Sequence, residues 1–138
     1  MVGAESPEDE DARLHSLTRV GRKLRNSDRA FVPGPKLTRY LLDPGNKRGK
    51  AKLFKRELGM ALEHRSDLEA QLVAGASERP IARILADKPP PAKPTYEVWV
   101  PIRGVNGATR EVLTAWTYEG GRPQLVTAYP ARQRDWVL

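Results

Sequence analysis

The sequence predicts an α+β domain in which N-terminal helices pack on a three- to four-stranded antiparallel sheet. Two observations carry this expectation. Apolar residues recur at helical spacing through the first half of the chain, and after residue 95 the period falls to two, with Tyr96, Val98, Val100 and Ile102 alternating. Between the two regimes, residues 87–94 (DKPPPAKP) form a stiff polyproline-type connector, expected to separate the helical part from the sheet. A chain of 138 residues fits one domain with a single modest core.

Taken in order, residues 1–10 (MVGAESPEDE) are polar and acidic and read as a disordered tail. Over residues 11–30 the spacing of Leu14, Leu17, Val20 and Leu24, with Arg13, Arg19, Arg22, Lys23 and Arg25 between them, predicts an amphipathic helix ending near Asn26. Gly21 works against it. His15 lies in this helix, where a lone histidine is more often solvent-facing than catalytic. A single α+β domain is expected over 31–138.

Its centre is a basic hairpin, residues 36–60. Pro35 suits a first helical position, and Leu37, Tyr40 and Leu41 make an apolar face. Asp43-Pro44 stops that helix, because a residue before proline is pushed out of α geometry. A second helix re-enters after Gly49, with Ala51, Phe54, Leu58 and Leu62 on one face. Arg48, Lys52, Lys55 and Arg56 fall on an adjacent face, and Lys50 points toward Glu57. Ser66-Asp67-Leu68-Glu69 is a capping-box signature for a third helix over 67–76, and residues 79–86 read as a further helical turn or two after Pro80. His64 lies just before the cap, outside regular helix. Strands over 96–102, 109–118 and 123–129 are joined by turns at Gly104, Asn106 and Gly107 and at Gly120-Gly121, giving an antiparallel meander over 95–130. In the tail, Trp136 is expected to pack back on the domain.

The net charge of +7 is concentrated. Residues 30–66 carry nine bases against three acids, and the other segments nearly balance. Such a patch is the usual footprint of a polyanion, either nucleic acid or an acidic protein. With no cysteine there is no disulfide, thiolate metal site or cysteine nucleophile. Paired His/Asp/Glu clusters at ligand spacing and serine-nucleophile motifs are missing from the sequence, so neither a metal nor another cofactor is expected. No apolar run approaches the roughly 18 residues of a membrane span. The acidic start does not resemble a signal peptide, which predicts a cytoplasmic protein or one delivered into a target cytoplasm.

Several of these residues resemble the pattern of an uncharacterised bacterial domain family. The pattern runs KL-x-x-YLL-[ND]-P, then G-x-x-KA-x-x-F, LG, an NG turn, a strand with Trp and a last strand ending TAYP. Here the matches are Lys36-Leu37, Tyr40-Leu41-Leu42-Asp43-Pro44, Gly49, Lys52, Phe54, Leu58-Gly59, Asn106-Gly107, Trp116 and residues 125–130 (LVTAYP), with Lys50-Ala51 keeping the lysine–alanine pair. The resemblance spans about residues 31–130. It implies a module like the C-terminal toxin domains of bacterial conflict systems and, more distantly, the barnase–EndoU–colicin–RelE group of metal-independent ribonucleases. An acidic immunity or antitoxin protein would then be a partner. Neither histidine falls in a matched motif, so the histidine-dependent branch of that group is a poorer likeness.

Metal-independent RNA cleavage requires a deprotonated 2′-OH, a stabilised phosphorane and a protonated 5′-oxygen. Arg48, Lys50 and Lys52 are candidates to stabilise the phosphorane, and His64 or a lysine to act as base. Thr127 and Tyr129 share one side of the last strand, and Thr114 and Trp116 one side of its neighbour. The threonines could donate to phosphate and the aromatic rings could stack on bases. The catalytic candidates are therefore Lys50, Lys52, His64 and Thr127. The nucleic-acid-binding candidates are Lys47, Arg48, Lys50, Lys52, Lys55, Arg56, Thr114, Trp116 and Tyr129. Two functions are compatible with this set. One is a toxin-type endoribonuclease that needs no metal; the other is a non-catalytic module binding nucleic acid or an acidic protein through the basic hairpin. The first predicts Lys52, Thr127 and an acid–base group in one cleft, the second a flat basic face.

Overall fold

A computed structural model describes residues 6–46, 50–89 and 92–130. It is an α+β fold: helices α1 (Pro7–Leu17), α2 (Ala51–Leu58) and α3 (Arg65–Glu78), followed by strands β1 (Ile81–Leu85), β2 (Thr95–Arg103), β3 (Thr109–Glu119) and β4 (Arg122–Pro130). The strands form one antiparallel sheet in the order β1-β2-β3-β4. Among the described residues no helix is long and apolar enough to cross a membrane.

Helix α1 starts earlier and ends earlier than its apolar spacing suggests. Ser6 caps it by accepting a hydrogen bond from the Asp9 backbone, and Glu8, Asp9 and Glu10, expected in a disordered tail, occupy the first turn. Acidic side chains there complement the positive end of the helix dipole. The chain becomes extended at Thr18, and Gly21 takes a left-handed conformation at φ +85°, so no helix runs on to Asn26. Residues 21–22 instead pair with the start of β1, through Gly21 N to Ile81 O and Ile81 N to Arg22 O. Leu17 and Val20 are exposed as a result. Asp11 is buried and accepts from the backbone N–H groups of Gly120 and Gly121 at 3.0 and 2.7 Å, fastening α1 to the β3–β4 turn.

Residues Lys36–Leu41 form a wide π-type turn closed by Leu42 N to Leu37 O, with Leu37 and Leu41 buried. Helix α2 buries Phe54 and Leu58 and ends at Gly59, whose φ of +67° suits a residue without Cβ. A short 3₁₀ turn at Leu62–His64 leads directly into α3, which therefore begins at Arg65, before the expected Ser66 cap. The free Ala61 N–H is satisfied by His64 Nδ1 at 3.0 Å, and Ser66 makes no capping bond. Gly75 lets α3 lie against β2, since a Cβ there would overlap Val100.

Residues 81–85 are a strand, where a helical turn was expected. The edge of β2 offers a ladder of partners, and pairing to it outweighs local preference. The proline-rich connector consequently falls in sequence between two strands of the same sheet, β1 and β2, instead of dividing helices from strands. The expected docking of Trp136 lies outside the described residues.

All three helices pack on one face of the sheet. The core there is built from Tyr96, Val98, Val100, Ile102, Val112, Trp116, Tyr118, Leu125 and Ala128, together with Leu14, Phe54, Leu58, Leu68 and Leu72. Leu113 and Ala115, on the other face of β3, are buried but do not belong to this cluster.

Candidate functional site

Two β-bulges decide what reaches the helix-free face. In a regular strand, residues two apart share a face. Ile81 pairs with Val98 and Arg83 pairs with Glu97, so Ala82 is an extra residue on β1. Ile81 points into the core while Arg83 is turned to the opposite side. On β4, Leu125 pairs with Trp116 and Thr127 with Ala115, so Val126 is the extra residue. Leu125 stays in the core, and Thr127 and Tyr129 turn outward.

The helix-free face then reads in rows across the sheet. One row runs Arg83, Glu97, Ala115, Thr127; the next runs Trp99, Leu113, Tyr129. With strands about 4.8 Å apart, Glu97 and Thr127 stand roughly 10 Å apart at Cα, as do Trp99 and Tyr129. Glu97 is only 9% exposed, and Arg83 Nε donates to its Oε1 at 2.6 Å. The hydrogen bond to Glu97 and that carboxylate's charge raise the Arg83 pKa above its ordinary value, with a smaller contribution from Tyr129. Lys50, just before α2, reaches around the β4 edge and places Nζ 5.5 Å from the centre of the Tyr129 ring, a cation–π contact. Half-buried Trp99 and Tyr129 offer aromatic surface, Arg83 and Lys50 offer cations, and Glu97 is a carboxylate held in place by its partner.

The candidates from the sequence divide into four groups. Lys50, Thr127 and Tyr129 come together on this face, and Lys50 meets Tyr129 instead of Glu57, whose carboxylate lies near Arg56 and Arg110. Thr114 and Trp116 do not join them. Both are fully buried on the core face, where Trp116 Nε1 donates to Thr114 Oγ1 at 2.7 Å and Thr114 donates to Val98 O at 2.6 Å. Their polar atoms are consumed by each other and by the strand backbone, so they are structural. Lys52, Lys55 and Arg56 line a separate groove of about 520 Å³ with Leu42, Met60 and Leu62, to which Thr127 does not contribute. The expected meeting of Lys52 and Thr127 in one cleft is not found in this groove. His64 is held in its turn by Ala61 N–H. Lys47 and Arg48 lie outside the described residues.

Sequence reasoning missed Arg83, Glu97 and Trp99. The alternation of Tyr96, Val98, Val100 and Ile102 already places Glu97 and Trp99 on the opposite face. Arg83 had no such signal, because its strand was not recognised. Among the described residues no three His, Asp or Glu side chains gather as a metal site.

Fold and site thus define a class: an antiparallel sheet covered by helices on one side, carrying cations, a carboxylate and aromatic rings on the other. A family model for a domain of unknown function (DUF6883) matches residues 23–132, and the chain belongs to that family. Every residue of the sheet-face site lies within the matched stretch, while α1 precedes it. No curated protein and no solved structure matches the chain.

Proposed function

We propose that the protein is a metal-independent endoribonuclease whose site is the helix-free sheet face. The observation that carries this reading is the meeting of Lys50, Thr127 and Tyr129, remote in sequence, beside the Arg83–Glu97 pair. Glu97 takes the proton of the ribose 2′-OH, and the 2′-oxygen attacks phosphorus. Arg83 and Lys50 hold the non-bridging oxygens, where charge develops in the phosphorane. Thr127 donates a hydrogen bond to the phosphate, and Tyr129 hands its proton to the departing 5′-oxygen. The P–O5′ bond breaks, leaving a 2′,3′-cyclic phosphate and a 5′-hydroxyl. Trp99 supplies a flat ring for a neighbouring base.

The test is cleavage of a single-stranded RNA oligomer by the purified protein, with growth and total RNA followed after induction in bacteria. Glu97→Gln should slow cleavage by about 10² to 10⁴-fold, the usual contribution of a general base, with its melting temperature close to wild type. EDTA should leave the rate unchanged, and an all-deoxy oligomer should remain intact. Cleavage of the all-deoxy strand, or an unchanged rate in Glu97→Gln, would contradict the mechanism. An inactive wild type that nonetheless binds RNA would leave a binding module.

A further inference from the structure

Helix α2 carries cations to two places. Lys50 goes to the sheet face, while Lys52, Lys55 and Arg56 rim the groove on the other side of the helix. The groove is floored by aliphatic side chains, namely Leu42, Ala51, Met60 and Leu62. Lys52 and Lys55 are exposed and have no carboxylate partner among the described residues, and Arg56 has only Glu57 at 3.8 Å. Glu63 is the single carboxylate in the lining. The result is an apolar trough with an excess of positive charge along one wall.

We infer that this groove docks an acidic amphipathic helix of a partner protein. The cations at 52, 55 and 56 span one turn, about 6 Å of helix axis. That spacing matches carboxylates placed three and four residues apart on a facing helix. The floor accepts the leucine-type side chains of such a helix, and Met60 is an adaptable neighbour for them. Nucleic acid fits less well. No aromatic ring lines the groove for a base to stack on, and an aliphatic floor offers a ribose or phosphate no hydrogen bond. The inference does not depend on the ribonuclease reading, since none of the groove residues belongs to the sheet-face site.

The test uses a synthetic 16-residue helical peptide with leucines on one face flanked by glutamates, titrated into the ¹⁵N-labelled full chain. Amide shifts are expected to cluster at residues 42–43, 51–56 and 60–63. Lys52→Glu combined with Lys55→Glu should weaken binding at least tenfold, and a peptide with serines replacing the leucines should weaken it likewise against the wild-type protein. The peptide arm keeps the test decisive if the double variant fails to fold. Shifts confined to other surfaces, or affinity unchanged by either alteration, would overturn the inference. A single-stranded RNA oligomer shifting the groove amides would assign the groove to nucleic acid, and dodecanoate binding there without the peptide would assign it to an anionic amphiphile. Either outcome refutes a protein partner.

Discussion

The two faces of the sheet are made by the same strands and do opposite work. On the helix-covered face, Trp116, Tyr96 and Tyr118 are fully enclosed. The polar atoms of Trp116 and Thr114 are paired to each other and to backbone. On the other face, Trp99 and Tyr129 are partly open, Arg83 extends toward solvent, and a carboxylate is held beside it. Residue type alone does not separate the two. Threonine and an aromatic ring occur on both faces, at Thr114 and Trp116 and at Thr127 and Tyr129. What separates them is register, set by one extra residue at Ala82 and one at Val126.

The largest expected contrast is in stability. Trp116→Ala should cost about 3–5 kcal/mol, the usual price of truncating a buried aromatic residue, and denaturant unfolding would register it. Tyr129→Ala should cost no more than roughly 1 kcal/mol while slowing RNA cleavage. Equal losses would mean that the helix-free face is a second core. Asp11→Ala comes next. It leaves the Gly120 and Gly121 N–H groups, the second of them buried, without their acceptor and should cost about 1–3 kcal/mol. A melting temperature equal to wild type would show that α1 contributes nothing to holding the β3–β4 turn.

How much of this was legible follows from the same registers. Strands β2 to β4 were readable because a period of two persists over long runs and glycines mark both turns. Helix α2 was readable from Phe54 and Leu58 on one face. Strand β1 was not, because five residues after a proline with a bulge in the middle show no alternation. The false extension of α1 came from Leu17, Val20 and Leu24 falling by chance near helical spacing. In the site, sequence reasoning put Thr127 and Tyr129 on one side of the last strand, but it turned Lys50 toward Glu57 and paired Thr127 with Lys52. It could not show that Val126 places Thr127 and Tyr129 on the opposite face from Thr114 and Trp116.

A smaller effect concerns pH. His15 stacks on Tyr96 and meets Tyr118 edge-on, its Nδ1 bonded to the Tyr96 hydroxyl and its Nε2 buried without a partner. Burial lowers its pKa from the ordinary 6.5, Asp11 opposes that shift, and Lys93 adds to it. The Tyr96 hydroxyl, pushed up to about 12 chiefly by burial, stays protonated throughout. The unfolded chain therefore binds a proton more readily than the folded one, and stability present above pH 6.5 is lost as the pH falls through the lower folded value. Melting temperature should drop between pH 7.5 and 5, and less so in His15→Phe. A slope identical in the variant would assign the acid sensitivity elsewhere. The smallest effect is expected from Lys52→Ala, which should move stability by no more than about 0.5 kcal/mol and leave RNA cleavage untouched.

The most direct measurement is to map a single-stranded RNA oligomer with every 2′-hydroxyl methylated onto the ¹⁵N-labelled protein. With no 2′-hydroxyl to attack, the strand binds without being cut. The largest amide shifts should fall at Lys50, Arg83, Glu97, Trp99, Thr127 and Tyr129, that is on strands β1, β2 and β4 and at the start of α2, on one face. Shifts gathered instead on Lys52, Lys55 and Arg56, or on α1, would contradict the assignment of the helix-free face as the site.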